Sequence, residues 1–207
     1  MYHEAVHHRK GCTRCGPALT NPALCESGKY DSDEIGPWSR WHGNLDAKLM
    51  IVGQDWGDRR YFIEKRGVDG EENRTNKRVV EFVGSIGVDM DDVFLTNAIL
   101  CLKEGGMQAA VKSEWFSNCG DHFLSPIIEI VRPRVLVTLG ERAYRSVELT
   151  FKLRYTRFRD AVENSDGLDL GQGTLLFPVY HCSDRILNTH RCRSMQEEDW
   201  QRIRKAL

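Results

Sequence analysis

Four apolar runs along the chain predict the strands of a central sheet. They span residues 47–54, 92–102, 132–140 and 174–181, and each is continuous rather than an alternation of apolar and polar positions. Continuous runs are typical of strands that are covered on both faces, as in parallel sheets. Apolar residues at helical spacing predict helices over 75–87, 113–131, 141–149 and 195–207. Because strands and helices alternate, we expect an α/β fold of three layers, α/β/α, around a central, mainly parallel four-stranded sheet.

The length and composition fit one globular domain. The chain has 207 residues, of which 41% are hydrophobic and 29% charged, so it can bury a substantial core and is not a disordered chain. We expect a single domain over 1–207, with a loop-rich, cysteine-containing N-terminal segment at 1–46. No apolar run is long enough to cross a membrane, and the N-terminus lacks the apolar stretch of a secretory signal. The net charge of −1 argues against a globally basic nucleic-acid coat but not against a local basic cleft.

The cysteines indicate the redox state of the cellular compartment in which the protein acts. There are seven of them, an odd number, and no secretion signal accompanies them, so a disulfide framework is not expected. In a reducing compartment, clustered thiols more often serve metal or redox chemistry. The sequence therefore directs attention to the cysteines that lie close together or close to predicted strand ends.

Three polar side chains lie at or near the carboxyl ends of predicted strands. Asp55 follows the first strand, Asn97 lies on the second and His181 ends the fourth. In open parallel sheets, ligands bind beyond this edge. A carboxylate, an amide and an imidazole together suit hydrolysis, because they can orient water, bind a polar ligand and stabilise developing negative charge. The alternative is purely structural: a capping Asp, an Asn bonded to backbone and a His satisfied by its neighbours.

The ordered motifs around these residues resemble the uracil-DNA glycosylase superfamily. The chain carries GQDWG at 53–57, LTNAILC at 95–101, LVTLG at 136–140 and VYHCS at 179–183. One branch of the superfamily has GQDPY as its first motif, the iron–sulfur branch has GEAPG, and the third motif begins His-Pro-Ser. The resemblance runs from about residue 48 to 190. It implies hydrolysis of the N-glycosidic bond of uracil, or of another deaminated base, flipped out of DNA, leaving an abasic site in base-excision repair.

The resemblance also assigns four of the cysteines. Cys12 and Cys15 match the N-terminal Cys-x-x-Cys of the iron–sulfur branch, and Cys101 and Cys119 match its third and fourth cysteines. It implies a structural [4Fe–4S] cluster on these four residues. A zinc ion on the same cysteines is the alternative, because four thiolates also suit zinc. Cys25 remains a possible substitute ligand.

The catalytic and base-binding roles follow from the resemblance. It implies that Asp55 orients the attacking water and stabilises the positive sugar, and that His181 hydrogen-bonds the base O2. Asn97 would bind the polar edge of the base, while Gly53 and Gln54 would offer backbone amides to its carbonyls. The GQD sequence belongs to one branch and the cysteines to the other, so the chain combines features of both.

Further residues are assigned to the base and the DNA. Phe62 is expected to stack on the base and Ser183 to hold a phosphate. Ile186 or Leu187 would be the wedge that fills the gap left by the flipped nucleotide; the alternative is a core contact. Gly57 replaces a tyrosine that blocks the thymine methyl group in the GQDPY branch, so thymine, hypoxanthine or damaged bases stay open as substrates.

DNA is the implied partner, and basic residues near the motifs are expected to face its phosphates. They form three groups: Arg59, Arg60, Lys65 and Arg66; Arg74, Lys77 and Arg78; Arg185, Arg191 and Arg193. The stretch KLRYTRFR, in a predicted surface connection over 151–173 that includes a hairpin, is either a solvated face or a phosphate-contacting patch. We expect a monomer without a membrane partner in the cytoplasm, associated with the nucleoid if the source is prokaryotic.

Two other functions remain open at this level. The chain could be a non-catalytic relative that binds nucleic acid or a modified nucleotide, since its first motif is mixed. It could also hydrolyse free nucleosides or another N-glycoside at the same edge of the sheet. Fold alone does not discriminate among them, because one α/β architecture serves many functions.

Overall fold

All four predicted apolar runs form strands. The structure, a computed structural model, describes residues 1–68, 70–106, 109–164 and 166–207. The strands are β1 (Leu19–Thr20), β2 (Leu49–Asp55), β3 (Val93–Ile99), β4 (Leu102–Lys103), β5 (Val135–Leu139), β6 (Leu168–Asp169) and β7 (Leu175–Val179). The run at 92–102 is divided, because its last residues leave the main sheet and pair as β4 with β1.

The main sheet has five strands in the order β3-β2-β5-β7-β6. The first four are parallel to one another, as predicted. The fifth, β6, is a two-residue antiparallel edge strand that forms a hairpin with β7, and the apolar pattern missed it because a strand of two half-exposed residues leaves no apolar run. The expected count of four strands is therefore one too low, while the mainly parallel α/β architecture is confirmed.

The long predicted helices are also present. The helices are α1 (Tyr2–Lys10), α2 (Pro37–Trp41), α3 (Arg59–Glu64), α4 (Arg74–Ser85), α5 (Ser113–Cys119), α6 (Ser125–Val131), α7 (Glu141–Thr150), α8 (Phe158–Glu163), α9 (Asp184–Thr189) and α10 (Arg193–Ala206). A π-helical turn, Gly120–Leu124, joins α5 to α6, so the predicted helix at 113–131 is continuous but irregular. The sequence did not predict α1, α3, α8 and α9, because these helices are short or lack a clear apolar stripe.

Helices cover both faces of the sheet and give the three predicted layers. One apolar core packs α1, α5, α6, α7 and α8 against one face. The other core packs α4 and α10 against the opposite face, where the rings of Phe82 and Trp200 are stacked 5.7 Å apart. The strand residues between the two cores are almost fully buried, which explains why their sequences are continuous apolar runs.

Candidate active site

The carboxyl edge of the sheet brings the three predicted polar residues together. Asp55 is the last residue of β2, and Asn97 lies on the neighbouring strand β3, paired in register with Gly53. His181 follows β7 by two residues, and β5 lies between β7 and β2. Asp55 and His181 are close enough for the carboxylate to act electrostatically on the imidazole. Residues from three separate strands therefore face one region.

Gly53 allows the asparagine to approach the first motif. A Cβ at this position would lie 2.7 Å from Nδ2 of Asn97 and 3.0 Å from the ring of Trp38, so any side chain would displace both. Asn97 is buried, and its amide makes no hydrogen bond with any residue that the structure describes. The structural alternative, an Asn bonded to the backbone, is therefore absent here, and the amide remains available to a ligand.

His181 has a defined tautomer. The backbone N–H of Ser183 donates a hydrogen bond of 3.1 Å to Nδ1, so in the neutral imidazole the proton resides on Nε2. Burial lowers the pKa of His181, and the nearby Asp55 carboxylate offsets part of this effect. Gly140, with φ of +89°, lets the histidine pack closely, because a Cβ there would lie 3.3 Å from that of His181. The site thus presents a neutral hydrogen-bond donor.

Lys103 is a component that sequence analysis missed. Its ammonium Nζ lies 3.0 Å from Oδ1 and 3.2 Å from Oδ2 of Asp55, and both side chains are buried. The side-chain amide of Gln54 donates to the same carboxylate. In the sequence, Lys103 is recognisable only as a lysine that directly follows an apolar run. This position does not indicate a contact with Asp55, 48 residues earlier.

The structure contradicts the stacking role predicted for Phe62. Its side chain is fully buried in the core, where its ring packs against Trp56 at 5.7 Å and lies under Gly67. A ring with no exposed face cannot stack on a base. The prediction failed because the residue was chosen by its distance from the first motif, and α3 turns that position inward. The ring of Trp38, by contrast, contacts Gly53 of the first motif.

The third motif leads into the predicted wedge. Ser183 is the N-terminal cap position of α9, and its side chain is half-exposed. Ile186 and Leu187 lie in α9, are half-exposed, and belong to neither core cluster of the described residues. The alternative of a core contact is thus not supported. The helix is fixed to α4, because the Asp184 carboxylate is ion-paired with Arg74 and Arg78.

The four cysteines assigned by the resemblance line a single pocket. Cys12 and Cys15 come from the loop after α1, Cys101 from the loop after β3, and Cys119 from the end of α5. Asn118 donates a hydrogen bond of 3.6 Å to the sulfur of Cys15. The pocket therefore joins the N-terminal segment to the loop that follows Asn97.

The cysteines of this pocket are expected to ionise to thiolates only when a bound cation compensates their negative charge. Burial raises the pKa of Cys119 to about 12 and also raises that of Cys101, and like charge on the neighbouring thiols raises both further. Among the described residues, no three His, Cys, Asp or Glu side chains are grouped so that they could hold a metal ion. Four thiols around one pocket are the ligand type that a [4Fe–4S] cluster or a zinc ion takes.

The remaining cysteines lie elsewhere. Cys25 and Cys182 are buried in the core on the opposite face of the sheet, and Cys192 is exposed. Cys25 is close to Arg59, which lies outside the pocket. The expectation that Cys25 could substitute as a ligand is not supported, because Cys25 packs in the other core cluster and does not line the pocket.

Most of the arginines expected to face DNA are engaged within the protein. Arg59 pairs with Glu26, and Arg60 and Lys65 pair with Glu64 and Glu72. Arg74 and Arg78 hold Asp184, Arg191 is buried against Asp199, and Arg193 pairs with Glu81 and Glu197. Within the described ranges, Arg66, Lys77 and Arg185 are the members of the three groups without an ion pair. Burial argues against a phosphate contact for Arg191, whereas for the exposed members of the three groups such a contact stays a prediction.

No helix in the described part of the chain has the length and apolar composition needed to cross a membrane.

Comparison with known proteins identifies the family. The profile described as "Uracil DNA glycosylase superfamily" matches residues 41–206. The chain is 25% identical over 170 residues to a type-4 uracil-DNA glycosylase of Saccharolobus solfataricus, covering 80% of this chain and 74% of the relative. It is 25% identical over 171 residues to the type-4 enzyme of Thermotoga maritima, covering 80% of both chains. A type-5 uracil-DNA glycosylase of Pyrobaculum aerophilum is 26% identical over 208 residues, covering 92% of this chain and 86% of the relative. The chain therefore belongs to the uracil-DNA glycosylase superfamily.

Proposed function

We propose that this protein is a DNA glycosylase that hydrolyses the N-glycosidic bond of uracil, or of another deaminated base, flipped out of DNA. The names of its relatives support the activity. The observation that carries it in this chain is the pairing of a buried carboxylate, Asp55, with a neutral Nε2–H donor, His181, at one edge of the sheet. The partner is DNA, and we infer a monomer acting in the cytoplasm.

The reaction separates charge across the sugar–base bond. Hydrolysis breaks the bond between C1′ and the base nitrogen, the electron pair leaves with the base, and water supplies oxygen to C1′. The transition state resembles an oxocarbenium ion. In this proposal the Asp55 carboxylate faces the positive sugar and orients the water. Lys103 and Gln54 hold that carboxylate in one orientation, so that little reorganisation is needed during the reaction.

The departing base receives hydrogen bonds from the other side of the site. His181 Nε2–H is assigned to the base O2, where negative charge develops, and the Ser183 N–H keeps the proton on that nitrogen. Asn97 is assigned to the polar edge of the base, which an amide can bind as donor and acceptor at once. Backbone amides of Gly53 and Gln54 complete the contacts. Ser183 is assigned to a phosphate.

We infer that Cys12, Cys15, Cys101 and Cys119 hold a structural [4Fe–4S] cluster. Their common pocket and the hydrogen bond from Asn118 to Cys15 support a shared group on these thiols, and the match to the cysteine pattern of the iron–sulfur branch favours the cluster over zinc. Nε of Arg9, which also lines the pocket, is buried without a hydrogen-bond partner among the described residues and suits an acidic group there. When bound, the cluster would link the N-terminal segment to the loop after β3.

The direct test uses an oligonucleotide with one uracil, followed by alkali, which cleaves the strand at an abasic site. We expect strand scission with the wild-type protein and an intact strand when cytosine, which is not a deaminated base, replaces the uracil at that position. Binding without scission would favour the non-catalytic relative. Release of uracil from free deoxyuridine alone would favour a nucleoside hydrolase.

His181→Asn should slow uracil excision by about 10²–10³-fold, since the loss of one donor to a developing anion typically has an effect of this size. Single-turnover excision with saturating enzyme measures the chemical step, and binding to uracil-free duplex should stay unchanged. His190→Asn is the matched control, because His190 is exposed nine residues further along the chain. Equal rates for the two variants would remove His181 from the mechanism.

The double variant Ile186→Ser/Leu187→Ser tests the wedge. We expect excision from duplex DNA to fall more than excision from single-stranded DNA, because only the duplex requires the gap in the stack to be filled. Leu149→Ser, at a position that is also exposed and apolar, is the control. An equal loss on both substrates together with a lower melting temperature would indicate a core contact instead.

A further inference from the structure

A basic segment, residues 152–157, carries cations that the mechanism does not use. The side chains of Lys152, Arg154 and Arg157 are exposed, and none forms an ion pair within the described residues. Tyr155, between them, is 69% exposed. Unpaired cations interleaved with an exposed aromatic ring match the chemistry of a nucleic-acid strand, whose phosphates bind cations and whose bases stack on rings.

The basic segment has a fixed conformation despite its exposure. The backbone N–H of Thr156 donates to the Glu148 carboxylate at 3.0 Å, and Arg145 donates to the carbonyl of Thr156 at 2.8 Å. The Arg145 guanidinium lies 4.3 Å from the centre of the Tyr155 ring. Both anchoring residues belong to α7, so the cations of the basic segment are presented by a rigid element. Ordering them on a ligand would therefore cost little backbone entropy.

Aromatic contacts place the C-terminal end of the basic segment beside the active site. Lys152 lies toward the other edge of the sheet, since its neighbour Phe151 shares a pocket with Arg132 and Thr174, which precede β5 and β7. Phe158 directly follows Arg157, and its ring lies 4.9 Å from that of Tyr180 and 6.0 Å from that of Tyr144. Tyr180 immediately precedes His181, and Tyr144 is in the first turn of α7, next to Gly140. Both contacts lie at the carboxyl edge of the sheet. The end of the basic segment is therefore one ring-to-ring contact away from the residue that precedes the catalytic histidine.

Within the described residues, most basic residues near the motifs are ion-paired, whereas the cations of the basic segment are not. Phosphate oxygens need donors that are not already engaged, and most of the arginines near the motifs are paired with carboxylates. The acid within the next turn, Asp160, is exposed and leaves the three cations in excess. Arg154 and Arg157 thus add unpaired positive charge to that of Arg66, Lys77 and Arg185.

We propose that the basic segment is a second DNA contact, which binds the phosphates of the strand beside the flipped nucleotide and packs Tyr155 against its sugars or bases. This inference rests on the proposed function, since it takes the DNA at the carboxyl edge of the sheet as given. It assigns Arg154 and Arg157 to affinity and not to chemistry, because phosphate contacts position the protein without reading the sequence.

The test compares the double variant Arg154→Ser/Arg157→Ser with a control of equal charge change, Lys48→Ser/Arg204→Ser. The control residues are exposed near the opposite edge of the sheet, where Lys48 precedes β2 and α10 ends beside Arg134. Binding to a labelled uracil-free duplex is measured as a function of salt, and excision of uracil is measured under single-turnover conditions at saturating enzyme.

We expect the salt dependence of the binding constant to weaken by about 2 in log–log slope for the double variant, about 1 for each lost phosphate contact, and to stay unchanged for the control. Excision at saturating enzyme should be the same in all three proteins. Equal slopes for the two variants would overturn the inference and leave the glycosylase proposal intact. If the variant had a weaker salt dependence but the wild-type protein did not excise uracil, the DNA contact would be supported and the proposed function contradicted.

Discussion

Asp55→Asn is expected to slow uracil excision by about 10²–10⁴-fold, the range typical of a positioned acid–base group. The amide keeps the shape of the carboxylate but carries no charge to oppose the positive sugar, and it is a poor acceptor for the proton of water. Single-turnover excision from the uracil oligonucleotide measures the effect. Binding to uracil-free DNA should be retained, because Asp55 is buried and does not contact the phosphates in this proposal.

Two further variants separate chemistry from folding in this experiment. The substitution leaves the buried Lys103 ammonium without its counter-charge, and breaking a buried pair costs about 3–5 kcal/mol of stability. Asp55→Asn/Lys103→Met removes both charges and should fold even if the single variant does not. Asp46→Asn makes the same chemical change at an exposed position at the other edge of the sheet. Excision at the wild-type rate by either Asp55 variant would contradict the mechanism.

Cys101→Ser and Cys119→Ser are each expected to abolish the bound cluster and to lower the melting temperature strongly. Removal of one thiol breaks the set of four that holds the N-terminal segment to the loop after β3 and to α5. The purified protein should be brown, with iron and acid-labile sulfide in equal amounts, and both variants should lose the colour, the iron and the sulfide. These readouts are independent of excision.

Cys192→Ser is the matched control, because this cysteine is exposed and lies outside the pocket. It should keep both iron and stability. A colourless wild-type protein that contains one zinc per chain would replace the cluster by the zinc alternative. If Cys25→Ser removed the metal, the assignment of the four ligands would be wrong, since Cys25 packs in the other core cluster and does not line the pocket.

The structure shows how the residues of the mixed first motif contact one another. A first motif that reads GQD places the carboxylate at Asp55, one residue later than the glutamate of GEAPG, and Gln54 stands at that earlier position. In the structure the two side chains contact each other, and Lys103 binds the carboxylate from the short strand β4. The chain thus retains one negative charge at this edge and surrounds it with two donors. The strand β4 also joins the N-terminal segment through its pairing with β1.

Predictions from position relative to a motif were the ones that failed. Phe62 was chosen because an aromatic residue follows the first motif, but α3 begins at Arg59 with an Asp58 cap and directs Phe62 into the core. The arginines near the motifs were expected to face phosphates, but Arg191 is buried, and other long side chains reach carboxylates on other elements, as Arg193 reaches Glu81. Whether a charge is paired depends on contacts between residues far apart in the chain.

The sequence by itself determined the layers and the edge at which the site lies. Apolar runs fix which segments are strands covered on both faces, and a parallel sheet then gathers Asp55, Asn97 and His181 at one edge, whatever the details of packing. Only the tertiary structure decided the tautomer of His181, the Lys103 partner of Asp55, the position of Cys25 outside the pocket and the free cations of the basic segment. The physical reason is that periodicity records burial along one element, whereas hydrogen bonds and ion pairs depend on the distance between atoms of different elements.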